Sequence, residues 1–137
     1  MSLQDIKSYY ELELNDEKLK IEFDFNSIGV VEMITCKGIF KIKELIEAGN
    51  LGTLDILNIF CAGLTKHHKE ETIQKIREFL QKNIYLFPAL TNHLTFPLFR
   101  PLYPPEVYNE VFSKVKNESN VEVKEEAKKS QKKHPKQ

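Results

Sequence analysis

Apolar and polar residues alternate in the first part of the chain. Tyr10, Leu12 and Leu14 alternate with Glu11 and Glu13. After the polar turn Asn15-Asp16-Glu17, the residues Leu19, Ile21, Phe23 and Phe25 alternate with Lys20, Glu22 and Asp24. Period two on both sides of a short turn predicts an antiparallel hairpin with one wet face. A lone hairpin is marginal in water, so helices are expected to cover its apolar face.

The period then lengthens. Ile28 to Cys36 carries a single charge, Glu32, between a capping pair, Asn26-Ser27, and a stop, Gly38. This predicts a helix, with a third strand as the alternative given the β-branched content. Lys41 to Ala48 places Ile42, Leu45 and Ile46 on one side and stops at Gly49, a short amphipathic helix. Thr53 is the expected cap of the next helix, and Asp55 suits its positive end. Leu54, Ile56, Leu57, Ile59, Phe60, Ala62 and Leu64 make that helix apolar nearly all round, so it should lie at the centre. Lys66 to Glu71 reads as a solvated polar connector. Thr72 is expected to cap a further helix carrying Ile73, Ile76, Phe79 and Leu80.

The character changes at Ile84. Five of the six prolines fall between there and Pro105, with Tyr85, Phe87, Phe96, Phe99 and Tyr103 among them. Proline at this density is expected to forbid one long helix. The segment is then either a loop that folds back and adds aromatics to the core, or an exposed apolar strip that docks a partner. Pro105 can start a final helix with Val107, Val111 and Val115 on one stripe. From Lys116 onward apolar residues almost vanish, so a disordered basic C-terminal tail is expected. The fold expected is α+β: an N-terminal antiparallel β-hairpin packed on a bundle of about four to five helices. The expected divisions are 1–83 for hairpin and helical core, 84–115 for the Pro/aromatic segment and final helix, and 116–137 for the tail.

Charge adds an asymmetry. The formal net charge is zero, yet from Lys114 onward there are 8 Lys against 4 Glu, which leaves the body acidic. That pattern suggests salt-sensitive head-to-tail self-association between copies. Cys36 and Cys61 sit among apolar residues and lack metal or redox spacing, so both read as reduced core thiols. The first residues contain no apolar run of signal-peptide type, and no apolar stretch reaches the ~20 residues of a spanning helix. A cytoplasmic protein without membrane contact is expected.

Candidate chemistry is sparse. His67-His68 are sequence neighbours without a metal-site pattern, and His93 stands without a second ligand nearby. No glycine cluster resembles a phosphate loop and no nucleophile elbow occurs. No catalytic residue, cofactor or metal site is expected, and the chain reads as a binding protein. The Lys-rich tail lacks interleaved aromatics for base stacking, which disfavours nucleic acid as a partner.

The order of elements carries a resemblance. An acidic-flanked hairpin ending in Ile21-Glu22-Phe23-Asp24-Phe25 runs into a helix with Glu32 and a closing Gly38. A short helix follows, then an apolar helix ending Cys61-Ala62-Gly63-Leu64, a polar connector with two His, and a helix opening at Thr72. Over roughly Tyr9 to Asn83 this succession resembles the tail assembly chaperones of long, non-contractile-tailed (siphovirus-type) phages and prophages. The resemblance implies a non-catalytic protein of the bacterial host cytoplasm. Such a protein binds and solubilises the tape measure protein and assists assembly of the tail tube protein around it. It also implies that a longer, frameshifted form can exist.

An amphipathic client helix needs an apolar groove. The residues expected to line it are Phe60, Leu64, Phe79, Phe87, Phe96 and Phe99. The competing classes are a small nucleic-acid-binding regulator using the basic tail, and a structural head–tail or tail component.

Overall fold

Tyr10–Leu14 (β1) and Glu17–Ile21 (β2) form the predicted hairpin in the computed structural model, which describes residues 9–108. The pairing sets Tyr10 opposite Ile21 and Leu12 opposite Leu19. Asn15 and Asp16 both take positive φ, 51° and 62°, which gives the turn that matches strand twist in a two-residue hairpin. Tyr10, Leu19 and Ile21 are buried. On the wet face Glu11 lies across from Lys20 and Glu13 across from Lys18, favourable cross-strand charge pairs.

The strand ends sooner than its alternation predicts. Phe23 is buried beyond it, and Phe25 is the first residue of the helix Phe25–Thr35 (α1). The reason is a capping box. The Asp24 carboxylate accepts from the Ser27 N–H at 2.9 Å, and Ser27 Oγ accepts from the Asp24 N–H at 2.8 Å. Asp24, not Asn26-Ser27, is therefore the cap. The helix ends on Cys36 in the left-handed region (φ 58°) rather than on Gly38. Gly38 instead precedes α2, Ile39–Glu47. It has no side chain to cap that helix, and Glu32 Oε2 substitutes by accepting from the Ile39 N–H at 2.8 Å. Gly49 (φ 70°) closes α2. Its N–H donates to Ile46 O, and the Asn50 N–H donates to Leu45 O, as in a Schellman motif.

Thr53–Leu64 (α3) is the central helix, as its all-round apolar sequence predicts. Ile56, Leu57 and every residue from Ile59 to Leu64 are buried, and α1, α4, α5 and β2 all pack on it. Its cap is Gly52; Thr53 already lies in the first turn. Glu70–Lys82 (α4) starts before Thr72, with Glu70 and Glu71 at its positive end. It turns Ile73, Ile76 and Leu80 inward, and Arg77 donates to Asn58 Oδ1 of α3 at 3.1 Å.

The Pro/aromatic segment corrects the sequence reading most. After a 3-10 turn, Ile84–Leu86, the residues Phe87–Phe99 form a 13-residue helix (α5). Pro88 lies in its first turn, where no N–H is required, and Pro97 lies near its end. Only that second proline removes a helical donor. Phe87, Leu90, Leu94, Phe96, Leu98 and Phe99 are buried, and α5 packs on α3, α2 and β1. The division expected after residue 83 is thus bridged by continuous packing, and the compact unit runs to Leu102.

Residues 103–108 belong to a second unit, in which the Tyr108 N–H donates to Pro104 O at 3.0 Å. The Val111 and Val115 stripe and the expected disordered tail lie outside the described residues.

Candidate partner-binding site

Phe60 and Leu64 lie wholly inside, on α3, and Phe87, Phe96 and Phe99 are buried on α5. The Tyr10 ring stacks on Phe96 with centroids 5.7 Å apart, and Lys43 Nζ lies 5.4 Å from the Phe99 ring centre. Only Phe79, on α4, is half-buried. Five of the six expected groove residues are therefore interior residues that a partner cannot reach without opening the core. The cause is the helix at 87–99, whose aromatics turn inward.

The apolar surface lies elsewhere. Helix α1 buries only Val31 and Thr35. Residues four apart share a helix face, so Phe25, Gly29 and Met33 form one row and Asn26, Val30 and Ile34 the next. Phe25 is 90% exposed, Met33 80%, Ile34 46% and Val30 45%. Neither row holds a charge. The Gly29 position is open, with nothing within 4 Å of an added β-carbon, which leaves a notch between Phe25 and Met33. Phe40, 67% exposed, follows directly on the N–H that Glu32 holds at the start of α2. The helix is held firmly beneath this face. Val31 packs in the core, and the buried Thr35 hydroxyl donates to Val31 O at 2.8 Å. At its C-terminal end Lys37 pairs with Asp55 of α3 at 2.8 Å.

A second apolar feature is a cavity of about 560 Å³ between the end of α2, the start of α3 and the start of α5. Ile46, Leu51, Ile56, Ile84, Tyr85 and Phe87 supply its apolar wall, and no charged side chain lines it. Its volume is in the range of small-ligand pockets.

The polar residues of the α3–α4 corner form an anchor for the hairpin. Glu22 bonds His67 Nε2 with one carboxylate oxygen at 2.8 Å and Lys66 Nζ with the other at 2.9 Å. Lys66 also reaches Asp24 at 3.4 Å. The Lys20 backbone N–H donates to His68 Nε2 at 2.9 Å, and the Glu22 N–H donates to Gly63 O at 3.0 Å. Burial, then the neighbouring His67, hold the His68 pKa below its ordinary value. The Ser27 hydrogen bonds hold Asp24 low, and the Glu22 carboxylate raises Lys66. With both carboxylate oxygens engaged, Glu22 ties the hairpin exit to the α3–α4 corner. The expected solvated connector is thus a clasp on the outer edge of β2. Only the turn-like composition of this stretch was visible in the sequence, and its partners lie more than 40 residues away.

His93 is similar. Tyr10 Oη and His93 Nδ1 share a 2.7 Å hydrogen bond across 83 residues, and burial lowers the imidazole pKa. Among the described residues no group of three or more His, Cys, Asp or Glu is placed to hold a metal ion, and no helix is long and apolar enough to cross a membrane. Comparison with protein-family models, curated proteins and solved structures finds no match.

Proposed function

We propose that this chain is a tail assembly chaperone of a long, non-contractile-tailed phage or prophage. It acts without catalysis in the cytoplasm of the bacterial host. It binds amphipathic helices of the tape measure protein, keeps that protein soluble, and assists assembly of the tail tube protein. The observation that supports this reading is the outer face of α1, where four apolar side chains stand in two uncharged rows on a helix fixed from below. Monomeric proteins rarely leave such a contiguous face bare, and a client helix packs on one by laying its apolar stripe across it.

The magnitudes fit repeated weak contacts. A large apolar side chain exposes on the order of 200 Å², so the α1 face offers roughly 500 Å². At about 25 cal/mol per Å² that gives roughly 12 kcal/mol before costs. Association itself consumes about 4–15 kcal/mol, so one contact is weak. A long client with many such helices gains by multivalency.

The test is co-expression with the tape measure protein of the same phage genome, followed by affinity capture and a solubility assay. The expected result is a tape measure protein that is soluble only with this chain and co-purifies with it, and is lost with Met33→Lys. A tape measure protein equally insoluble with and without the chain, and never captured, overturns the reading.

A further inference from the structure

We infer that, when no client is bound, the α1 face is covered by the α1 face of a second copy of this chain, in a two-fold dimer. Area and charge both favour this pairing. Phe25, Val30, Met33 and Ile34 leave roughly 500 Å² of apolar side chain exposed. A standard interface buries about 800 Å² per partner, and weak ones fall below about 600 Å² per partner. The face therefore falls in the weak class, enough for a weak dimer.

Self-pairing also requires that the face not repel itself. The two rows contain no charged residue, so two copies meet without like charges opposed. An isologous interface needs one patch complementary to itself. The Gly29 notch lies between the projecting Phe25 and Met33, with the shorter Val30 beside it. With the two helices antiparallel and the axis near Gly29 and Val30, Phe25 of each copy lies against the Met33 end of the other. Eight residues at 1.5 Å each separate Phe25 from Met33, so the seam is about 12 Å long.

The dimer stands on the exposed area and the uncharged rows, without the chaperone reading. Its consequence for the client rests on the chaperone reading: partner copy and client compete for one face, so a client helix dissociates the dimer. This association differs from the charge-driven head-to-tail kind. Apolar contact survives salt, whereas attraction between an acidic body and a basic tail is screened.

The experiment is sedimentation of the full chain under reducing conditions from 1 to 200 µM, at low and high salt. It is run beside Met33→Lys, Phe25→Lys and a control on α4, Glu78→Lys. The expected result is a monomer–dimer equilibrium in the tens of micromolar that persists in high salt. Each α1 variant should weaken it at least tenfold, and the control should leave it unchanged. A chain that stays monomeric at 200 µM overturns the dimer, as does association lost in high salt or untouched by both α1 variants. Circular dichroism of each variant confirms that the exposed substitutions leave the fold intact. The two readings fail separately: a monomer that still solubilises the tape measure protein sinks only the dimer, and a dimer that never binds it sinks only the chaperone.

Discussion

The ring of Phe23 fills the space that a β-carbon on Gly63 would need. Such an atom would stand 2.6 Å from Phe23 Cζ and 2.8 Å from Ile21 Cγ2. Gly63 lies within α3, so the glycine serves close approach between the hairpin exit and the central helix. Gly63→Ala gains about 1 kcal/mol in helix propensity. It forces apart two buried side chains, at about 1–3 kcal/mol. The expected outcome is a net loss of about 1 kcal/mol in urea unfolding, partly recovered by shortening the ring in Gly63→Ala/Phe23→Leu.

Acid should loosen the fold through its histidines. Burial keeps His93 and His68 below the ordinary value of 6.5. Between the folded and unfolded pKa values the unfolded chain binds more protons, so stability is complete above about 6.5 and declines as pH falls below it. The slope is at most about 1.4 kcal/mol per pH unit for each group. Protonated His68 also loses the acceptor for the Lys20 N–H. Urea midpoints measured from pH 7.5 to 5 should fall, and His93→Gln, which keeps a partner for Tyr10 without titrating, should flatten the slope. An unchanged slope in that variant would show that His93 is not a source of the acid sensitivity.

Interior and surface apolar residues should separate cleanly. Phe60→Ala empties a fully buried site and should cost about 3–5 kcal/mol. Phe25→Ala and Met33→Ala remove exposed groups and should stay within about 0.5 kcal/mol of the parent. Thermal melts of the three variants check this. If the exposed pair destabilises the chain as much as Phe60→Ala, the α1 face is not a free surface.

The hairpin turn can be improved. Asp16 holds φ 62°, a left-handed conformation that costs an L-residue about 1–2 kcal/mol and glycine far less. Asp16→Gly creates the Asn-Gly turn favoured for two-residue hairpins and should raise stability by about 0.5–1 kcal/mol. Asp16→Val should lower it. A Tm that moves the same way for both would contradict the turn assignment.

The α+β fold was largely legible in the sequence, because its signals are local. Alternation around Asn15-Asp16 marked the hairpin, and the apolar run from Leu54 to Leu64 marked the central helix. What failed was also local, at the boundaries. Asp24 and Ser27 end the strand through two reciprocal hydrogen bonds, which pattern alone does not weigh against the alternation of Phe23 and Phe25. The proline count obscures α5, because two prolines that a helix tolerates stand close to three that lie beyond its end. The candidate surface was missed for a different reason. Phe25 to Ile34 has the composition of a core helix, and its exposure is decided by which neighbours are absent on one side.

The Tyr10–His93 hydrogen bond has a consequence for synthesis. The hairpin leaves the ribosome before the groups that hold it, from Gly63 to His93, which follow tens of residues later. At about 5–20 residues per second the 83 residues from Tyr10 to His93 take on the order of ten seconds to appear. Leu19 and Ile21 wait for α3 and Tyr10 waits for α5, so the hairpin, though made before both helices, is secured only when the second of them is complete.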